Sequence, residues 1–178
     1  MEEKNVMENP KAKEFLKNFF KSNGIPLKKP SRDELYYEIV TYLRENNILT
    51  LATCKDNMPR ATVLEYRSDG IIIYMGSEGG GKFANLAVNQ NVSFTISSSY
   101  TTFFSCRGLQ GWGKAEVFKE GTKEFEEGMK ILKPERALAE LGLKEMPSVF
   151  SRRLIKIISD RFAYNYILRG FINSVYDV

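Results

Sequence analysis

Apolar residues recur at helical spacing twice near the start of the chain, and then the rhythm changes. Phe15, Leu16, Phe19 and Phe20 lie among lysines between Asn9 and Asn23, with Gly24 and Pro26 just beyond to stop the run. This spacing predicts an amphipathic helix. Lys28-Lys29-Pro30 reads as a linker, and Ser31 with Glu34 has the spacing of a capping box. A second helix should start there, bury Leu35, Ile39 and Leu43, and end around Asn46-Asn47. Both helices are expected to pack on a core rather than lie on a membrane.

From Ile48 the apolar runs become short or alternating and are broken by turn residues, the signature of an antiparallel meander. Strands are expected at Ile48 to Cys54, Arg60 to Arg67 and Ile71 to Met75. The connections Lys55-Asp56-Asn57-Met58 and Ser68-Asp69-Gly70 are too short for crossover helices, so these strands must be antiparallel. A glycine-rich loop follows from Gly76 to Gly81, then a helix from Lys82 to Asn89 and a strand at Val92 to Ile96. A long strand is expected from about Ser105 to Phe118. Its Gly108, Gly111 and Gly113 require a bulge, a barrel corner or a closely approaching ligand. Helical segments fill Lys119 to Leu132 and Pro134 to Leu141, and a last strand runs from Leu154 to about Ile167. The fold class is mainly β (α+β), with about six antiparallel strands closing into a small barrel, N-terminal helices and a helical insert.

Composition narrows the chemistry. The 178 residues fit one domain, with residues 1–30 as an N-terminal helix and linker and residues 31–178 as the barrel. Hydrophobic residues make up 43% and charged residues 27%, as in ordinary soluble proteins. The net charge of +4 favours anionic ligands without demanding nucleic acid. Arg107, Trp112 and Lys114 share one strand, as a barrel that binds single strands would have them, but so small a charge speaks against it. Histidine is absent, which excludes Ser-His-Asp and Cys-His hydrolases and removes the commonest metal ligand; no metal site is expected. Cys54 and Cys106 fit neither a disulfide scaffold nor a Cys-x-x-Cys pair, and are expected in strands of a protein of the reducing cytoplasm. No apolar run is long enough for a membrane span, and the polar start from Met1 to Lys13 does not read as a signal peptide.

The run Tyr74-Met75-Gly76-Ser77-Glu78-Gly79-Gly80-Gly81-Lys82-Phe83 is the most informative part of the chain. Glycines let a main chain approach a phosphate, a helix start adds partial positive charge, and Lys82 adds a full one. Gly76, Gly81 and Lys82 fit the P-loop spacing G-x-x-x-x-G-K, but Phe83 stands where a hydroxyl should reach magnesium, and the preceding strands are antiparallel. An ordinary glycine turn with a solvated lysine is the alternative.

The wider sequence adds Leu51-Ala52-Thr53, the turn Asp56-Asn57-Met58-Pro59, Asp69-Gly70-Ile71-Ile72-Ile73-Tyr74, Gly81-Lys82-Phe83-Ala84-Asn85-Leu86 and Asn89-Gln90-Asn91-Val92-Ser93-Phe94. In order and spacing this series resembles the FMN-binding split β-barrel family related to pyridoxamine 5′-phosphate oxidase, over about Asp33 to Ile167. The resemblance implies a homodimer with FMN at the interface. It implies that Arg60 binds the flavin phosphate and that Ala61, Thr62 and Val63 line the isoalloxazine ring. Tyr74, Met75 and Gly76 would also touch the flavin, while Ser77, Gly81 and Lys82 would hold its phosphate and Gln110 would come from the facing subunit. No residue is implied to be catalytic, because the flavin would carry the chemistry.

Three departures limit what is implied, the first being a glycine loop about one residue longer than the family's, with glycine in place of its usual second basic residue. Glu65 sits where the oxidase itself has a lysine, and the oxidase's substrate-binding histidine has no counterpart here. The expectation is therefore an FMN-dependent oxidoreductase acting on a small molecule other than the oxidase's own substrate. A flavin-binding or sensing module without turnover is the alternative. Whether a deazaflavin replaces FMN is open.

Overall fold

The computed structural model describes residues 9–144 and 152–178. Met1 to Glu8, where the polar start of the chain was read, lie outside them. Helix α1 (Pro10–Ser22) begins at Asn9, whose side chain accepts hydrogen bonds from the Lys11 and Ala12 amides. Helix α2 (Arg32–Glu45) begins at Ser31, whose Oγ accepts from the Glu34 amide at 3.1 Å. Only this half of the expected capping box forms, because the Glu34 carboxylate turns to Lys28 at 2.7 Å. Leu35, Ile39 and Leu43 are buried as their spacing predicts.

Strands β1 (Ile48–Lys55) and β2 (Met58–Glu65) form a hairpin with Lys55 opposite Met58. Its two turn residues, Asp56 and Asn57, have φ of 52° and 58°, the mirror-image turn whose twist matches that of the strands. Strands β3 (Arg67–Asp69) and β4 (Ile72–Ser77) form a second hairpin around Gly70. The expected strand from Arg60 to Arg67 is thus broken at Tyr66, and β4 runs past Met75 through Gly76 and Ser77. Helix α3 (Lys82–Leu86) is shorter than expected. Strands β5 (Asn91–Ser97) and β6 (Arg107–Lys119) follow, then α4 (Lys123–Leu132), α5 (Glu135–Glu140), β7 (Arg153–Tyr166) and β8 (Phe171–Asp177).

These eight strands, rather than about six, make one antiparallel sheet, seven of them in the order β2-β1-β5-β6-β7-β4-β3 and β8 branching off β7. The long strand β7 pairs with β6 along its length, with β4 through its first half and with β8 through its second. The two edge strands, β2 and β3, are separated in sequence by Tyr66 alone, so the sheet must curl until its edges meet. They do not pair there. The barrel is split along this seam, as the resemblance implies, and not closed as the strand pattern alone suggested. Tyr66 fixes the corner: it is fully buried, its amide donates to the Asn47 carbonyl and its hydroxyl donates to the Leu43 carbonyl at 2.9 Å.

The interior is filled by α2 residues against Leu49, Leu51, Ile73, Met75, Phe94 and Phe162. A second cluster joins α1 through Phe20 to Ile25 and Ile167, with Cys106 beside it, just ahead of β6 rather than inside a strand. The strand glycines have internal causes. A β-carbon on Gly111 would enter the Phe94 ring, and one on Gly113 would lie 2.2 Å from the Ile158 carbonyl oxygen, where a bulge shifts the β6–β7 register. Arg107 is turned inward. Its Nε donates to the Tyr164 hydroxyl at 2.9 Å and its guanidinium pairs with Glu45 at 2.6 Å, which removes it from any surface shared with Trp112 and Lys114.

Candidate functional site

The glycine-rich segment and the start of β2 meet at one end of the sheet. Arg60 stands opposite Thr53 in the β1–β2 hairpin, and the Thr53 hydroxyl accepts a hydrogen bond from the buried Asn85 amide of α3 at 3.0 Å. This fastens α3, and with it the segment from Ser77 to Lys82, over Arg60. The guanidinium of Arg60 then lies across Gly81: its Cζ and Nη2 are 2.8 Å from where a Gly81 β-carbon would sit. Only glycine leaves this room.

Lys82 is 5% exposed, which argues against the alternative of a solvated lysine in an ordinary glycine turn. Its Nζ donates to the Gly79 carbonyl, which also accepts from the Ser77 hydroxyl at 3.4 Å, and lies over the Phe83 ring at 4.9 Å from its centroid. Burial holds the Lys82 ammonium below the ordinary lysine range, and Arg60 pushes the same way against the opposing pull of Glu78. No carboxylate forms an ion pair with Arg60 or Lys82 among the described residues. Two unneutralised cations beside flexible glycine backbone, with Gly80 at φ 103°, suit a compact multivalent anion such as a phosphate. Helix α3 has only five residues, so its dipole adds little, and the side-chain charges dominate.

Strand alternation divides the other candidates. Arg60 and Thr62 share the face of the buried residues Thr53 and Leu51, whereas Ala61 and Val63 face outward, Val63 being 66% exposed. Val63, Thr50, Thr95 and Gln110 form one cross-strand row on that outer face. Three strand spacings of roughly 4.8 Å separate Val63 from Gln110, so Gln110 does not reach the Val63 position of its own chain. Tyr74 and Met75 are buried in two different apolar clusters. Gly76 and Ser77 line a cleft of about 480 Å³ between the seam and the α4–α5 insert. Phe125, Met129, Leu132 and Leu138 form its apolar side.

One cation at this cleft was not foreseen. Arg153 opens β7 directly opposite Ser77, and its guanidinium stacks on Phe83 at 4.6 Å. Its signal is long-range: nothing near Arg153 in the chain announces that β7 pairs with β4. Among the described residues no group of His, Cys, Asp and Glu is arranged to hold a metal, and no helix is long and apolar enough to cross a membrane.

The profile of the pyridoxamine 5′-phosphate oxidase family matches residues 36–166. Solved structures share the fold. A candidate pyridoxamine 5′-phosphate oxidase of Listeria innocua superposes with a TM-score of 0.59 at 20% identity, over 75% of this chain and 99% of that one. An FAD-binding protein of Mesorhizobium loti gives 0.55 at 17% identity, over 72% and 91%. A heme binding protein of Mycobacterium smegmatis gives 0.59 at 16% identity, over 85% and 59%. No curated protein matches this sequence.

Proposed function

This chain is a member of the pyridoxamine 5′-phosphate oxidase family, and from that premise we propose that it binds FMN as a homodimer and acts as a flavin-dependent oxidoreductase on a small molecule. The observation that carries the reading is the cradle of Arg60 over Gly81 beside the buried Lys82. A phosphate there would restore to Lys82 the solvation that burial removes, and would neutralise the mutual repulsion of the two cations. Ser77 would turn its hydroxyl from the Gly79 carbonyl to a phosphate oxygen.

Bound FMN would supply the electron or hydride transfer. The chain's own part is to bind and orient. β2 is an edge strand, so alternate backbone N–H groups around Ala61 to Val63 have no ladder partner and can donate to a ring lying along them. The α4–α5 insert forms the far wall of the cleft that the exposed Gly76 and the half-buried Ser77 line. Glu65 is not part of the cradle: it pairs with Arg67 at 2.9 Å, so the carboxylate in place of the oxidase's lysine is neutralised away from the phosphate. The outer face carries small residues, Ala52, Thr50, Ser93, Thr95 and Gly108, on which a second copy can lie flat and bring its Gln110 to the ring. Haem is a poorer fit than flavin, because the chain has no histidine to ligate iron.

The visible spectrum of freshly purified protein tests the reading. Yellow protein with the bands of oxidised flavin, or colourless protein that acquires them with FMN, is expected. Protein that stays colourless after incubation with FMN contradicts it. Anaerobic bleaching by NADH or NADPH separates an oxidoreductase from a binding module.

A further inference from the structure

We propose that the cleft between the α4–α5 insert and the seam is a second binding site, which takes a small apolar organic anion. Its role as the place where a substrate meets the flavin rests on the FMN reading; its existence does not. The cleft, about 480 Å³, has the size of a site for a molecule of two fused rings. One side is apolar, formed by Met129, Leu132 and Leu138 over the buried Phe125. Gly76 lines it as well, and a β-carbon there would make an ordinary contact 3.6 Å from Leu132 Cδ1.

Charge selects the ligand. The cleft is lined by the carboxylates Glu65, Glu78 and Glu140 and by Lys133 as well as by three arginines, of which Arg67 is held by Glu65 at 2.9 Å and Arg152 by an ion pair with Glu120. Arg153 has no carboxylate partner among the described residues and is fixed only by its stacking on Phe83. Phe83 carries Lys82 as well, yet Arg153 lines the cleft and Lys82 does not. The molecule therefore offers one cationic position to the phosphate cradle and another to the cleft. A carboxylate or sulfonate on a flat apolar body would place its charge on Arg153 and its body against Leu132, beside Gly76 and Ser77.

The test is calorimetric titration of the full chain with 2-naphthoate and with its neutral analogue 2-naphthamide, both with and without FMN. Saturable binding of the naphthoate is expected, at least about tenfold tighter than the amide. Arg153→Gln should erase that difference, and Leu132→Trp, which fills the cleft, should abolish binding of both. Arg153→Lys, keeping the charge, should restore part of the preference and guards against a folding defect in the glutamine variant. FMN affinity should be unchanged in both Arg153 variants. No saturable naphthoate binding, or binding equal in the wild-type chain and Leu132→Trp, overturns the proposal. Naphthoate binding in a chain that never takes FMN counts against the flavin reading alone.

Discussion

Arg60 occupies the space of a missing side chain: its guanidinium lies 2.8 Å from the position of a β-carbon on Gly81. Gly81 itself has φ −61°, which any residue adopts. Gly81→Ala is therefore expected to leave the melting temperature unchanged or slightly raised while pushing Arg60 off the cradle. FMN affinity should fall by about tenfold, the loss of one charge-assisted contact. Parallel thermal melts and FMN titrations check both halves.

Lys82 is a buried cation with no ion-paired carboxylate among the described residues, a costly arrangement that an anion would relieve. Lys82→Met should stabilise the ligand-free protein by about 1 kcal/mol and at the same time strongly weaken FMN binding. A variant that loses stability and keeps its FMN affinity would show that the lysine serves packing instead.

The lowered pKa of Lys82 has a direction in pH as well. FMN prefers the protonated ammonium, so its affinity should be level near neutrality and decline as the free protein's Lys82 loses its proton. That decline should begin below the pH at which an ordinary lysine titrates. Lys82→Arg should remove the decline, because the guanidinium stays charged. Fluorescence titration of FMN across the alkaline range measures it.

The helices, the meander and the glycine loop were legible because each depends on neighbours in sequence: Leu35, Ile39 and Leu43 at one spacing, Asp56 and Asn57 at one turn. Strand β8 was not. Asn173 takes φ 41° in its middle and its amide donates to Asn165 Oδ1, which breaks the alternation by which a strand is recognised. The burial of Lys82 and the position of Arg153 were hidden for a different reason. Both follow from pairings between distant segments, Asn85 with Thr53 and Ser77 with Arg153.

Packing explains Gly111 and Gly113 with no ligand needed, whereas it does not require a glycine at Gly108. Gly113→Ala would drive a β-carbon to 2.2 Å from the Ile158 carbonyl oxygen and should destabilise by about 1–3 kcal/mol. At Gly108 the nearest contact would be 3.4 Å, so Gly108→Ala should stay within about 0.5 kcal/mol. Denaturant unfolding of the two variants distinguishes them, and equal costs would count against the register bulge.

The shared-interface reading places Thr95 at the centre of the covered face, in the row from Val63 to Gln110. Thr95→Arg should yield a monomer by sedimentation and lower FMN affinity. A dimer of this kind buries on the order of 1,600 Å² or more in total. A wild-type monomer that still holds FMN tightly would reject the interface site and the role of Gln110.

The most direct test of the phosphate cradle compares FMN with riboflavin, which differs only by the phosphate, on one preparation of ligand-free protein. Two charge-assisted contacts at about 1.5–3 kcal/mol each predict FMN binding at least about 100-fold tighter. The difference should shrink in Arg60→Ala and in Lys82→Ala. Equal affinities for the two flavins in the wild-type chain would contradict the cradle.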